Sequence, residues 1–236
     1  MVTNYTAGNI VKDLKTYASP RRVGEKRRFG LSGGSVLGGP DKPFLRKLAL
    51  DIKRVEKHPH QLAGELWQSG IHEAMILAGL IDDPKFVTEA QMERWVKDFE
   101  NWGICDNTCG QLFDRTPLAY KKAIEWSGRQ AEYVKRAGFT LMASLAAHDK
   151  KASDDKLLQC FPHIKQGATD ERNFVKKAVS WALRQIGKRN LNLSKKALIL
   201  AEEIGKLDSK AAWWVARDVI RELKKYQIIV KKGKAG

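Results

Sequence analysis

One five-residue pattern occurs twice in this 236-residue chain. Tyr133-Val-Lys-Arg136-Ala137 and Phe174-Val-Lys-Lys177-Ala178 share the order aromatic, Val, Lys, basic, Ala, 41 residues apart. Each follows acidic residues and opens an amphipathic stretch. A weaker echo links Trp181-Ala-Leu-Arg184 to Asp218-Val-Ile-Arg221 after 37 residues, and His72 to Ala78 has the character of the same helix type further upstream. Spacings of roughly 31 to 41 residues fit two-helix units of the HEAT or armadillo kind. Such units stack because a single helical hairpin cannot bury its own apolar face, and one helix of each pair then lines a concave surface. The competing reading is two helices that share an amphipathic pattern by chance.

The rest of the chain agrees with helices. Seven prolines, at 20, 40, 43, 59, 84, 117 and 162, act as punctuation, and no run shows period-2 alternation. Thr88 with Gln91 has the capping-box pattern. Thr116-Pro117 offers a cap hydroxyl followed by a proline at the first helical position. Ser153-Asp154-Asp155 and Thr169-Asp170-Glu171 put a cap and acidic groups where a helix dipole favours them. We expect about a dozen helices, near 5–18, 43–57, 61–69, 71–82, 89–99, 103–114, 117–128, 131–148, 154–166, 171–188, 194–205 and 210–227. The fold class is all-α, a curved solenoid of helical repeats. Its expected parts are a basic N-terminal helix with a Gly-rich loop (1–43), the repeat domain (44–228) and a basic flexible tail (229–236), forming a single domain overall.

Charge narrows the partner. With 43 Lys and Arg against 27 Asp and Glu, the formal charge is +16, distributed as +8 over residues 1–60, −6 over 61–120, +5 over 121–180 and +9 over 181–236. An excess spread along folded-looking segments fits a polyanion, nucleic acid first and an anionic membrane face second; a basic surface kept for solubility is the plainer alternative. No stretch approaches a membrane span, and the N-terminus lacks the shape of a signal peptide. Three cysteines, Cys105, Cys109 and Cys160, are too few and odd in number for a disulfide framework and fit a reducing compartment. The expected location is cytoplasmic and associated with the nucleoid.

Few residues suggest chemistry. There is no Ser-His-Asp signature, no His-Glu-x-x-His and no Cys-x-x-Cys. Cys105 and Cys109 share a helix face without a companion ligand and read as small buried residues, and Cys160 with His163 has nothing to complete a site, so no metal is expected. His72 and His148 read as packed or exposed helix residues. The Gly-rich run from Phe29 to Asp41 lacks a Gly-Lys-Ser/Thr ending and a preceding strand, so it reads as a flexible loop whose flanking cations can grip phosphates. Asp106 stands out. It lies four residues after Trp102, on the same face if the helix runs through both, and a carboxylate beside an aromatic ring in a basic channel favours a developing cation. The plainer reading of Asp106 is a cap or dipole partner. A stacked array brings Trp102, Asp106, Arg136, Lys177 and Trp181 towards one concave face.

Together these residues resemble a family. Trp102-x-x-x-Asp106, Arg136-Ala137 and the run from Phe174 through Trp181 to Arg184 are similar to the AlkD-like DNA alkylation repair enzymes, the HEAT-like-repeat alkylpurine DNA glycosylases. Leu66-Trp67, Ser69 to Ala74 and Leu77 to Pro84 resemble the family's preceding helices, so the similarity covers roughly residues 44–225. The resemblance implies a basic concave groove that cradles alkylated double-stranded DNA. The implied reaction hydrolyses the N-glycosidic bond of N3- or N7-alkylpurines such as 3-methyladenine and 7-methylguanine, without base flipping, metal or organic cofactor, by a protein acting as a monomer. Carried over residue by residue, Asp106 stabilises the oxocarbenium-like sugar and positions water, Trp102 and Trp181 pack on the lesion deoxyribose, and Arg136 contacts a nearby phosphate. Lys135, Lys176, Lys177 and Arg184 join the expected DNA-binding set. Phe44-Leu-Arg-Lys47 matches the family while the Gly-rich loop before it departs. Some relatives have lost the acidic residue and bind DNA without excision. A non-catalytic DNA-binding scaffold and a protein-interaction module are the alternatives.

Overall fold

The computed structural model describes residues 5–31 and 35–233; parts of the expected Gly-rich loop (32–34) and tail (234–236) lie outside the described residues. Among those described the chain is all-α, with fourteen helices and no strand. It divides into two compact units, Met1–Thr116 and Pro117–Gly236.

In the first unit α1 (Ala7–Thr16), α2 (Pro20–Arg28), α3 (Lys42–Val55), α4 (Pro59–Gln68), α5 (His72–Ile81), α6 (Glu89–Lys97) and α7 (Trp102–Gln111) follow in order, then a 3₁₀ turn at Phe113–Arg115. Helix α2 was not among the expected helices: its nine residues are mostly charged and bury no side chain, so no apolar period marks it. It forms because Ser19 caps it, accepting from the Arg22 N–H, and Pro20 opens it. Helix α5 is the core element, packing on α3, α4 and α7. Nine of its ten residues are buried, as expected of a helix that is apolar all round. Beside it Trp67 and Trp95 stack in parallel, centroids 3.9 Å apart. Burying an indole such as Trp95 contributes roughly 4–6 kcal/mol before chain entropy is counted.

The second unit holds α8 (Ala119–Ser127), α9 (Glu132–His148), α10 (Asp154–Leu158), α11 (Phe161–Gly167), α12 (Asn173–Gly187), α13 (Leu191–Ile204) and α14 (Lys210–Gly233). The expected helix at 154–166 is two short ones, with Pro162 at the start of the second. Helix α14 continues past residue 228, so the stretch expected to begin a tail is helical to Gly233. Helix α9 is buried without interruption from Arg136 to Ala146, sandwiched between α8 and α12. Gly138 permits the approach to α8: a Cβ there would lie 2.4 Å from the Ser127 nitrogen and 2.8 Å from the Ala123 carbonyl oxygen.

The repeat is visible in this unit's bonding. Tyr133 and Phe174, the paired aromatics of the five-residue pattern, touch with centroids 5.8 Å apart. Several further bonds join residues 38 to 42 apart: Arg136 to the Phe174 carbonyl, Arg172 to the Gln130 carbonyl, Ser180 to Asp218, Arg189 to the Asp149 carbonyl, and Glu171 to Ser209 and the Ala211 N–H. The period in the sequence is therefore the period of contact.

The cap expectations divide. Thr88 accepts from the Gln91 N–H and Ser153 from the Lys156 N–H. The Gln91 side chain does not complete the capping box; it donates to Asp82, which is buried and takes that bond first. Thr116 is not a cap: its hydroxyl is buried and donates to the Phe113 carbonyl, and α8 starts after Leu118. Thr169 bonds back to the Gln166 carbonyl, and α12 starts after Arg172, with Glu171 instead serving α14.

In its described part the Gly-rich segment is pinned. The Leu37 and Gly38 N–H groups donate to Glu73 at 2.9 and 3.0 Å, Lys26 lies 3.5 Å from the same carboxylate, and the Ser35 carbonyl accepts from the His72 N–H. Glycine is needed here: Gly38 has φ +80°, and a Cβ on Gly39 would lie 1.5 Å from the Tyr17 carbonyl oxygen. Glu73 is 1% exposed, so Glu73→Gln, which cannot accept from three donors at once, is expected to cost about 1–3 kcal/mol. Urea unfolding measures this; a midpoint equal to wild type would show the strap to be energetically idle.

Candidate functional site

Helix α7 carries the expected pair. Asn101 caps it, accepting from the Ile104 N–H at 3.1 Å, and its amide nitrogen sits 3.3 Å from His72 Nδ1. Burial holds the His72 imidazole below its usual pKa, against the opposing pull of Glu73, which favours the neutral ring. Trp102, the first residue of α7, is fixed by its indole N–H, which donates to the Phe29 carbonyl at 2.9 Å. Asp106 follows one turn on and is half-buried, as is Trp102. Asn107 donates to the Gly103 carbonyl at 2.6 Å. A cavity of about 160 Å³ opens here, lined by Trp102, Gly103 and Asn107 together with Lys26, His72 and Glu73. A larger groove of about 650 Å³, against α1 and α3, holds none of the expected residues.

The other expected residues belong to the second unit, on α9 and α12, which pack together. Lys177 is exposed, Trp181 half-buried. Arg136 is 6% exposed and its guanidinium donates to the Phe174 carbonyl at 2.5 Å. Lys135 pairs with Asp170 at 3.0 Å, and Asp170 is held well below the usual carboxylate pKa by its hydrogen bond to Arg172, with Lys135 adding to the effect. Arg184 Nε lies 3.3 Å from Asp218, too poorly aligned for a hydrogen bond, and Lys176 sits 5.7 Å from the Trp214 ring centre. Much of the expected cationic set therefore spends its charge inside the unit, which no reading of spacing reveals. Two features escaped sequence reasoning. The Lys26–Glu73 pair had no signal, since nothing in a helix as apolar as α5 says what its one carboxylate meets. Trp213 and Arg217 had one: an aromatic and a cation at i and i+4 on a basic helix.

The three cysteines are buried thiols that form no disulfide. Burial raises the Cys109 thiol well above its ordinary pKa and pushes Cys160 up to about 12, so neither is a thiolate at neutral pH. Among the described residues no three His, Cys, Asp or Glu side chains gather into a metal-binding group, and no helix is long and apolar enough to cross a membrane.

A family model described as DNA alkylation repair enzyme matches residues 10–212. The chain belongs to that family. Trp102, Asp106, Arg136 and Trp181 all fall within the matched span. Among solved structures, one from a new family of proteins related to the HEAT-like repeat DNA glycosylases with affinity for branched DNA structures is 21% identical. It superposes with a TM-score of 0.69, covering 92% of this chain and 95% of its own. This DNA alkylation repair family member thus has the HEAT-like repeat fold. An engineered protein (13% identical, TM-score 0.37, 78% of this chain and 94% of its own) and a designed armadillo repeat protein (12%, 0.37, 78% and 95%) also match. No curated protein matches.

Proposed function

We propose that the chain is a monofunctional DNA glycosylase that hydrolyses the N-glycosidic bond of N3- and N7-alkylpurines in duplex DNA and leaves an abasic site. The observation that carries the reading is the placing of Asp106 one turn after an anchored Trp102 on α7, in a member of the DNA alkylation repair enzyme family. An alkylated purine already bears positive charge, so when the bond to the anomeric carbon breaks its electron pair neutralises the base, which leaves without an acid. The sugar becomes oxocarbenium-like; the Asp106 carboxylate stabilises that cation electrostatically. Water adds to the anomeric carbon and gives its proton to Asp106 or to solvent. Trp102 and Trp181 pack on the deoxyribose and the exposed Lys177 reaches the DNA backbone, while Arg136, Lys135, Lys176 and Arg184 serve it by exchanging their internal partners for phosphate. The lesion stays stacked, and the protein acts as a monomer in the compartment that holds the DNA.

Release of 7-methylguanine and 3-methyladenine from methylated duplex, followed by chromatography, tests this; no release above the uncatalysed rate overturns it. A second reading, DNA binding without excision, is favoured by the branched-DNA affinity of the relative's family and by the burial of Arg136. Both readings require DNA. If about five phosphates are neutralised, affinity falls roughly 500-fold between about 50 and 200 mM salt, read by fluorescence anisotropy. Absence of binding at low salt would point instead to a protein-interaction module.

A further inference from the structure

Helix α14 presents an aromatic and cationic stripe that the reaction does not use. Trp213 is 54% exposed, although a tryptophan gains more than most side chains by burial. The Arg217 guanidinium lies 4.4 Å from its ring centre. Arg221, one turn on, is ion-paired to Asp218 yet its side chain is 67% exposed, and Lys224 and Lys225 are exposed beyond it. Trp213, Arg217 and Arg221 recur at i, i+4 and i+8, so they share one face, and they line an open groove of about 530 Å³.

We infer that this face of α14 is a second nucleic-acid site, at which the Trp213 indole stacks on an unpaired nucleobase while Arg217 and the cations after it hold the flanking phosphates. Charge selects the partner: the exposed aromatic is followed along the helix by cations, the combination that binds single strands through stacking and backbone attraction. A paired base within a duplex shows its edges and not its faces, so the ring distinguishes unpaired from paired DNA. The ligand class is single-stranded DNA, including the single-stranded arm of a fork. The inference goes beyond excision at α7 and does not depend on it.

The test uses the full chain with two fluorescein-labelled oligonucleotides, a blunt hairpin duplex and a fork of equal phosphate number with a single-stranded arm. Trp213→Ala is expected to weaken fork binding roughly tenfold while changing duplex binding less than about twofold, and Trp213→Phe to retain most of the fork affinity. Equal losses on both DNAs, or no loss on either, overturns the inference; the second outcome leaves the face to an acidic protein. Wild-type protein irradiated with a fork carrying 5-iododeoxyuridine in its arm should cross-link at Trp213. Cross-links confined to other peptides overturn the inference without recourse to a variant. Base release from methylated duplex, assayed in parallel, is expected to be unchanged by Trp213→Ala, so failure here and failure of the glycosylase reading are separate results.

Discussion

Asp106→Asn is expected to lower 7-methylguanine release by about 10²–10³-fold while leaving affinity for alkylated duplex within a factor of two. The substitution keeps size and hydrogen-bonding capacity and removes one negative charge. If that charge serves only the cationic sugar, it acts in the transition state and not in the ground state, so the loss appears in kcat and not in binding; the magnitude is that of deleting one preorganised electrostatic partner. Single-turnover kinetics with saturating enzyme isolates the chemical step. Equal rates for the two proteins would remove Asp106 from the mechanism. Binding lost together with rate would reassign it to the architecture of α7, whose N-terminal turn is already tied to α2 through Trp102 and Phe29.

Gly138→Ala is expected to destabilise the second unit by about 2 kcal/mol or more. Two effects oppose one another. Alanine in a helix interior is favoured over glycine by about 1 kcal/mol, which on its own predicts a gain. Against it, the new methyl meets the backbone of α8 at 2.4 and 2.8 Å, and backbone atoms cannot rotate aside as a side-chain tip can, so α8 and α9 must separate; overpacking of that kind costs typically 1–3 kcal/mol and here involves two helices of the unit's core. Steric cost wins. Gly64→Ala is the matched control, a helical position where a Cβ meets nothing within 4 Å, and should be neutral or slightly stabilising. Thermal melts of both variants decide it; a Gly138→Ala protein as stable as wild type would show that the helices yield at no cost.

The fold was legible where periodicity was strong and obscure where it was absent. The 41-residue repeat found α9 and α12 because the two helices pack on one another in phase, and the aromatics that carry the pattern are in contact. Helix α2 was invisible because it buries nothing, and a helix held by a cap and a proline leaves no apolar trace. Caps were legible only halfway. Ser153 and Thr88 obey their local rule, whereas Gln91 and Thr116 obey it no longer once Asp82 and the Phe113 carbonyl compete for them. At the site, residue type and spacing placed Trp102 and Asp106 on one helix. They did not show that Arg136 donates to a carbonyl or that Lys135 is paired with Asp170, since partners 38 and 35 residues away depend on packing and not on spacing.

The rungs that join residues 38 to 42 apart in the second unit set the way such a chain can lengthen in evolution. A duplicated segment of one full repeat arrives with its own donors and acceptors already in phase, so it adds a layer and leaves the existing rungs intact. A single residue inserted in α12 before Ser180 turns every side chain beyond it by about 100° and strands both the Ser180–Asp218 hydrogen bond and the Lys188–Glu222 ion pair. Growth by whole modules is therefore open to this architecture, and growth by single residues is confined to the turns between its helices.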